Sequence, residues 1–140
     1  MQYAAYCAGL AFTISYVGYV HAVAHSLGGK YNTAHGLANA VILPYALKRY
    51  GKHAQKRLAK LSRKSGVSDV MADDNTAAGE FIAFVEELNA KMGIPTKLHV
   101  EEKDIPELAR HADKEANPLY PVPVLMNAKE LEALYYDIKE

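Results

Sequence analysis

The sequence of 140 residues has no tryptophan, three phenylalanines and a single cysteine, Cys7. One cysteine excludes an intrachain disulfide, so the chain is compatible with a reducing compartment and we predict a cytoplasmic location. Because Cys7 lies within an apolar run, we expect it to be a buried structural thiol. Half of the residues are hydrophobic, which is typical of globular proteins. We predict one domain over residues 1–140.

Charge is missing from long stretches of the chain. Residues 1–29 carry none, and no acidic residue precedes Asp69, although nine Lys or Arg residues lie between positions 30 and 68. The formal net charge is zero, so no global field indicates a nucleic-acid partner. The basic segment 48–64 is typical of a solvated helix face, and a phosphate or nucleic-acid role is the lesser alternative. We therefore predict that the chain binds no nucleic acid.

The uncharged segment 4–24 is long enough to span a bilayer as a helix of roughly 30 Å. Tyrosines and a histidine are spread through this segment, alanine outnumbers leucine and isoleucine, and no basic residue precedes it. These features favour the central helix of a helical bundle over a membrane anchor or a signal peptide. We predict no membrane partner, and the anchor is kept as an alternative.

Apolar periodicity and helix-terminating residues predict an all-α fold of about six helices with short connections. We expect the first helix to run from Gln2 to Leu27 and to end at Gly28-Gly29 in a left-handed cap. The second begins near His35 and contains Pro44, which should kink or divide it.

Four further helices are predicted downstream. One covers residues 52–64, and another follows the apolar spacing from Phe81 to Met92. The last two begin at capping boxes, which are expected at residues 104–107 and 127–130. No alternating strand pattern, GxGxxG motif or P-loop occurs, so the chain shows no nucleotide-binding motif of its own.

Three of the six histidines, His21, His25 and His35, lie in the segment 18–40, which contains no acidic residue or cysteine. Residues four apart share one face of a helix, so His21 and His25 form a candidate metal-binding pair, and a turn would bring His35 toward them. The stretch HAVAH lacks the glutamate of HExxH metalloproteases, which argues against that class. Spacing alone leaves open that these are core histidines bonded to backbone or tyrosine.

The run GYVHAVAHSLGGKYNTAHGLANAVILP, residues 18–44, closely resembles a pattern of the iron-containing (group III) alcohol dehydrogenases. That pattern has a histidine, a second histidine four positions later, Leu-Gly, and a third histidine fourteen positions after the first. HG-x-ANA-x-x-LP completes it. The later stretch NPLYPVPVLM and the final helix are also similar to the C-terminal end of the family.

The resemblance implies the helical C-terminal domain of the dehydroquinate synthase-like fold, without the N-terminal domain that binds NAD or NADP in the family. It implies a divalent metal, Fe(II) or Zn, held by one Asp and three His. Two of these ligands belong to a segment that precedes Met1. His21 and His35 map onto the other two ligands, and His25 maps onto a histidine near the nicotinamide that is implicated in proton transfer.

Two functions follow from these expectations. In the first, the chain is the metal-binding part of an NAD(P)-dependent alcohol dehydrogenase. It would be inactive alone, because the nucleotide-binding domain is missing or is supplied by a separate chain. The alternative is a non-enzymatic helical module that binds a partner or forms homo-oligomers through the apolar face that this domain would cover.

Overall fold

The computed structural model describes residues 1–140 and contains seven α-helices and no β-strand, which confirms the predicted all-α class. The helices are α1 (Gln2–Ser15), α2 (Tyr19–Tyr31), α3 (His35–Tyr50), α4 (Lys52–Ser65), α5 (Asp74–Lys91), α6 (Ile105–Ala116) and α7 (Ala128–Ile138). A short 3-10 helix, Glu102–Asp104, precedes α6. There is one helix more than predicted, because the expected first helix is divided.

The predicted helix from Gln2 to Leu27 is wrong, because α1 and α2 are separate helices bent by 105°. At the break, Tyr16 has φ 59° and ψ −175°, a backbone region that glycine occupies far more readily than tyrosine. The cap predicted at Gly28-Gly29 is also wrong. Both glycines lie inside α2, and the left-handed residue after that helix is Asn32, with φ 55°.

Helix α1 lies outside the core. None of its residues is buried, and Cys7 is exposed, so the prediction of a buried thiol is wrong. Large apolar side chains of α1 are between 49 and 82% exposed, namely Tyr3, Tyr6, Leu10, Phe12 and Ile14. No single helix of the chain has the length and apolar character needed to cross a membrane, and only α1 and α2 taken together across their bend reach that threshold.

Helix α2, rather than the whole segment 4–24, is the central helix of the folded body. Tyr19, Val23 and Leu27 are completely buried on α2, which packs against α3 and α6. In turn α6 packs against α7, whose Leu131, Leu134, Tyr135 and Ile138 are fully buried, and α4 packs against α5. The hydroxyl of Tyr19 accepts a hydrogen bond from the Met126 N–H at 2.8 Å, which ties the centre of the fold to the segment before α7.

The predictions for Pro44 and for the two capping boxes are confirmed only in part. Helix α3 is not divided at Pro44. The box predicted at residues 127–130 is present, because Asn127 Oδ1 accepts from the Glu130 N–H at 3.1 Å and Glu130 Oε2 accepts from the Asn127 N–H at 2.8 Å. The box predicted at residues 104–107 is wrong. Asp104 makes no capping bond, and its carboxylate accepts instead from the Tyr31 hydroxyl at 2.7 Å.

Candidate functional site

The three predicted histidines converge at the junction of α2 and α3. His21 and His25 lie one turn apart on α2, and the short turn at residues 32–34 reverses the chain so that His35 begins α3. The ring centroids are 6.0 Å apart for His21 and His25, 5.4 Å for His21 and His35, and 5.2 Å for His25 and His35. The last two rings are nearly parallel, at 19°.

The spacing of His21 and His35 fits two ligands of one metal ion. With nitrogen–metal distances near ~2 Å, two imidazoles on one ion have centroids about 5 Å apart. The observed 5.4 Å is close to that value. No group of three or more His, Cys, Asp or Glu residues is arranged to hold a metal ion within this chain alone. The donor set therefore fits part of a metal site, and the remaining ligands would have to come from elsewhere.

The environment of His21 favours the neutral imidazole. Partial burial lowers the pKa of His21, and the neighbouring rings of His35 and His25 lower it further, because charged imidazoles would repel one another. Metal ions bind the neutral ring, so the same surroundings that disfavour protonation keep His21 in its ligating form.

Asn39 orders the first turn of α3. Its Nδ2 donates to the His35 Nε2 at 2.9 Å and to the His35 carbonyl oxygen at 3.1 Å, so the amide fixes the orientation of that ring. The Asn39 Oδ1 is buried and has no hydrogen-bond partner. Metal ligation through Nε2 of His35 requires this amide to turn away, whereas Nδ1 of His35 carries no protein hydrogen bond.

Glu115 of α6 contacts His25 and was missed by sequence reasoning. The His25 Nδ1–H donates to Glu115 Oε1 at 2.7 Å, and the Tyr120 hydroxyl donates to the same oxygen at 2.8 Å. Burial raises the pKa of Tyr120, and the Glu115 carboxylate raises it further. No protein hydrogen bond uses the His25 Nε2. The histidine and the glutamate are 90 positions apart, so no spacing in the sequence links them.

The other three histidines, His53, His99 and His111, are exposed. His99 lies against the Tyr31 ring at a centroid distance of 5.6 Å. His111 lines a cavity of about 380 Å³ together with His25 and Glu115. His53 lines a different cavity on α4.

The fold and the site together define a class of domain: a helical domain in which two consecutive helices bring three imidazoles together. Residues 1–138 match the C-terminal part of the Fe-containing alcohol dehydrogenase family. The chain belongs to that family, as the resemblance in its sequence implied.

Relatives of known name are similar over most of this chain. The 1,3-propanediol dehydrogenase of Klebsiella pneumoniae is 37% identical over 139 residues, which cover 96% of this chain and 35% of that protein. Alcohol dehydrogenase 4 of Saccharomyces cerevisiae is 38% identical over 121 residues, 83% of this chain and 30% of that protein. The solved structure of an alcohol dehydrogenase from Oenococcus oeni superimposes with a TM-score of 0.84 at 30% identity, covering 94% of this chain and 35% of that one. The chain spans about a third of the length of these relatives.

Proposed function

We propose that this chain is the metal-binding helical part of an iron-dependent alcohol dehydrogenase, which interconverts alcohols and aldehydes or ketones with NAD or NADP. The convergence of His21, His25 and His35 is the observation that carries the proposal. Family membership and the names of the relatives support the reaction class.

His21 and His35 are the proposed ligands of a divalent metal, Fe(II) or Zn. The remaining ligands and the nucleotide site belong to an N-terminal nucleotide-binding domain, which is another part of a longer protein or a separate chain. When bound, the metal supplies polarisation of the alcohol or carbonyl oxygen, and the nicotinamide carries the hydride. Because the other metal ligands and the nucleotide site lie outside residues 1–140 in this proposal, we expect the chain to be inactive on its own.

His25 is the proposed proton-transfer residue and is not a ligand. Its Nδ1 is engaged by Glu115, and its Nε2 is free to accept the proton that leaves an alcohol. The side chain is 44% exposed, so water or a substrate group reaches it from the surface of this chain.

The exposed apolar face of α1 is the proposed contact surface for the N-terminal domain. A helix whose large apolar side chains are all exposed is unusual on a protein surface and marks an interaction site. Homo-oligomerisation through the same face is the alternative function and would appear as concentration-dependent dimers. The absence of nucleic-acid and membrane partners and the cytoplasmic location stay predictions.

A zinc titration of the untagged chain tests the assignment of ligands. We expect weak binding, because two ligands alone form an incomplete site. His21→Gln and His35→Gln should each weaken binding at least about tenfold, since each removes half of the ligand set. His25→Gln and the matched control His53→Gln should leave binding within about twofold of the original chain. Chemical shifts of the histidine rings in NMR spectra report which imidazoles respond.

Two results would contradict the proposal. If His25→Gln weakened zinc binding as much as His21→Gln, His25 would be a ligand and the division of roles would be wrong. If the isolated chain oxidised short alcohols with NAD or NADP at a measurable rate, the site would be complete without a second domain.

A further inference from the structure

Pro44 lies inside α3, yet the helix continues from His35 to Tyr50. Proline has no N–H, so the carbonyl oxygen of Ala40, four positions earlier, has no helical donor. A proline in a helix interior usually kinks or breaks the helix, because this hydrogen bond is lost and the ring clashes with that carbonyl group. A group from outside α3 must therefore satisfy the Ala40 carbonyl.

The side-chain amide of Asn89 on α5 is that group. Its Nδ2 donates to the Ala40 carbonyl oxygen at 2.8 Å, across the contact between α3 and α5. The two residues are 49 positions apart, so a tertiary contact replaces the donor that proline removes. Because Asn89 is half-buried and Pro44 is buried, this hydrogen bond is partly shielded from competing water.

Helix α5 and the segment after it contact α3 on both sides of the proline. Beyond the proline, Glu86 pairs with Lys48, and the Tyr45 hydroxyl donates to the Thr96 carbonyl oxygen at 2.9 Å. Before the proline, Asn89 makes the one hydrogen bond between α5 and the N-terminal half of α3. The direction of that half relative to the rest of the helix therefore depends on the Asn89 amide.

The N-terminal half of α3 carries His35, and Asn39, which orients the His35 ring, directly precedes Ala40. From His35 to the turn before Pro44 the helix rises about 10 Å, so a kink of about 20° there would displace the ring by roughly 3–4 Å. Metal–ligand distances hold within about 0.2 Å. Because His21 lies on α2, which also packs against α6, it would not follow this movement.

A cavity of about 200 Å³ lies at the same contact, and Val41, Pro44 and Asn89 are among the residues that line it. This cavity gives water a route to the Ala40 carbonyl when the amide is absent. Water that enters the hydrogen-bond ladder of a helix is one of the recognised causes of sharp kinks. Loss of the amide would thus leave the carbonyl hydrated and α3 free to bend.

We propose that Asn89 is a positioning residue for the metal site: its amide replaces the donor missing at Pro44 and so holds His35 at the distance from His21 that one ion requires. This inference rests on the proposed function, which makes these two histidines the ligands. It gives a role in the site to α5, a helix that contributes no side chain to the histidine cluster.

Zinc titration of four chains tests this role: the original, Asn89→Ala, Pro44→Ala and the double variant. Asn89→Ala should weaken zinc binding about tenfold, as loss of a group that orients a ligand does. In Pro44→Ala the new N–H at position 44 donates to the Ala40 carbonyl within the helix, so the further change of Asn89 should alter zinc affinity less than about twofold. Asn75→Ala, whose amide contacts α4, is the matched control and should bind zinc as the original chain does.

Chemical shifts of the His35 ring protons in the metal-free chain give a second readout. The His25 ring is stacked on the His35 ring at a centroid distance of 5.2 Å, so a displacement of His35 changes these shifts. The shifts should move in Asn89→Ala, and those of the double variant should match those of Pro44→Ala. Circular dichroism checks that each chain is folded. Asn89→Asp, which keeps the size of the side chain but has no amide donor, replaces Asn89→Ala if that variant does not fold.

Unchanged zinc affinity or unchanged His35 shifts in folded Asn89→Ala would each overturn the proposal. A loss of zinc affinity that persists undiminished in the double variant would also overturn it, because Asn89 would then act through something other than the Ala40 carbonyl. If His21→Gln and His35→Gln left zinc binding unchanged, the ligand assignment would fail instead, and the shifts of the metal-free chain would still decide whether Asn89 places His35.

Discussion

At the scale of single residues, Glu115 determines the hydrogen bonding of His25. A carboxylate that accepts from Nδ1–H selects one tautomer of a neutral imidazole and leaves Nε2 as a hydrogen-bond acceptor. Tyr120 donates to the same carboxylate oxygen, so Glu115 is held from two sides. The position of the proton on His25 is therefore set by α6 and not by the helix that carries the histidine.

Replacing Glu115 by alanine should abolish the tautomer preference of His25. Nitrogen-15 NMR at pH 9 should show Nδ1 protonated in the original chain and both tautomers populated in Glu115→Ala. Glu107→Ala is the matched control, because Glu107 lines the same cavity and pairs with Lys30 instead of His25. Identical nitrogen shifts for His25 in the original chain and in Glu115→Ala would show that Glu115 does not set the tautomer.

The sequence predicted the convergence of three histidines but not their acidic neighbour. His21, His25 and His35 are close in sequence, so helical periodicity and one turn were enough to bring them together. Glu115 reaches His25 only because α6 packs against α2, and single-sequence patterns do not contain that pairing. The exposed Cys7 is the opposite case. An apolar run predicted burial, yet no residue of α1 is buried.

At the scale of helices, the break between α1 and α2 was the largest error. Gly18 is the only helix breaker near it, and an isolated glycine is tolerated inside helices, so the break has only a weak signal in the sequence. The bend is made largely at Tyr16, which has a positive φ. This backbone conformation costs about 1–3 kcal/mol in any residue other than glycine. Tertiary packing of α2 holds this residue in a conformation that its own preference opposes.

Tyr16→Gly should therefore stabilise the fold by about 1 kcal/mol, because relief of strain exceeds the extra flexibility that glycine gives the unfolded chain. The side chain is 67% exposed, so little packing is lost. Urea denaturation measures the change in free energy of unfolding. Tyr6→Gly, inside α1, is the control and should not raise the urea midpoint, since glycine weakens a regular helix. A midpoint that falls in Tyr16→Gly would mean that the backbone there is unstrained.

The two predicted capping boxes show why local patterns succeed or fail. At residues 127–130 nothing competes for the side chains, and the box forms as the sequence indicates. At residues 104–107, Tyr31 and Lys30 from the end of α2 take the Asp104 carboxylate, so a tertiary contact replaces the local one. Capping motifs predict a helix start well, but the bonds they make depend on what packs beside them.

At the scale of the whole molecule, Asp104 links the end of α2 to the start of α6. The Tyr31 hydroxyl, followed by the Lys30 ammonium group, holds the pKa of the Asp104 carboxyl below its ordinary value. A carboxyl whose pKa is lowered by folding stabilises the folded state above its unfolded pKa, and this stabilisation is lost as the pH falls through the folded value. The link between these helices is therefore strongest near neutral pH.

Asp104→Asn should lower the urea midpoint at pH 7, and the difference from the original chain should shrink as the pH falls below about 4. Urea midpoints of both chains between pH 2 and pH 7 measure this effect. Glu80→Gln, at an exposed position of α5, provides the comparison for a general loss of negative charge. A difference between the Asp104 variant and the original chain that stays constant down to pH 2 would show that charge on Asp104 does not stabilise the fold.

The grouping of His21, His25 and His35 within 6.0 Å of one another also matters for handling the protein. Two of these rings are exposed, so immobilised nickel should retain the chain without an affinity tag. A polyhistidine tag would then compete with the native imidazoles for any added ion and would exchange nickel into them during purification. Ion exchange followed by dialysis against a chelator gives material whose metal content reports on the protein alone.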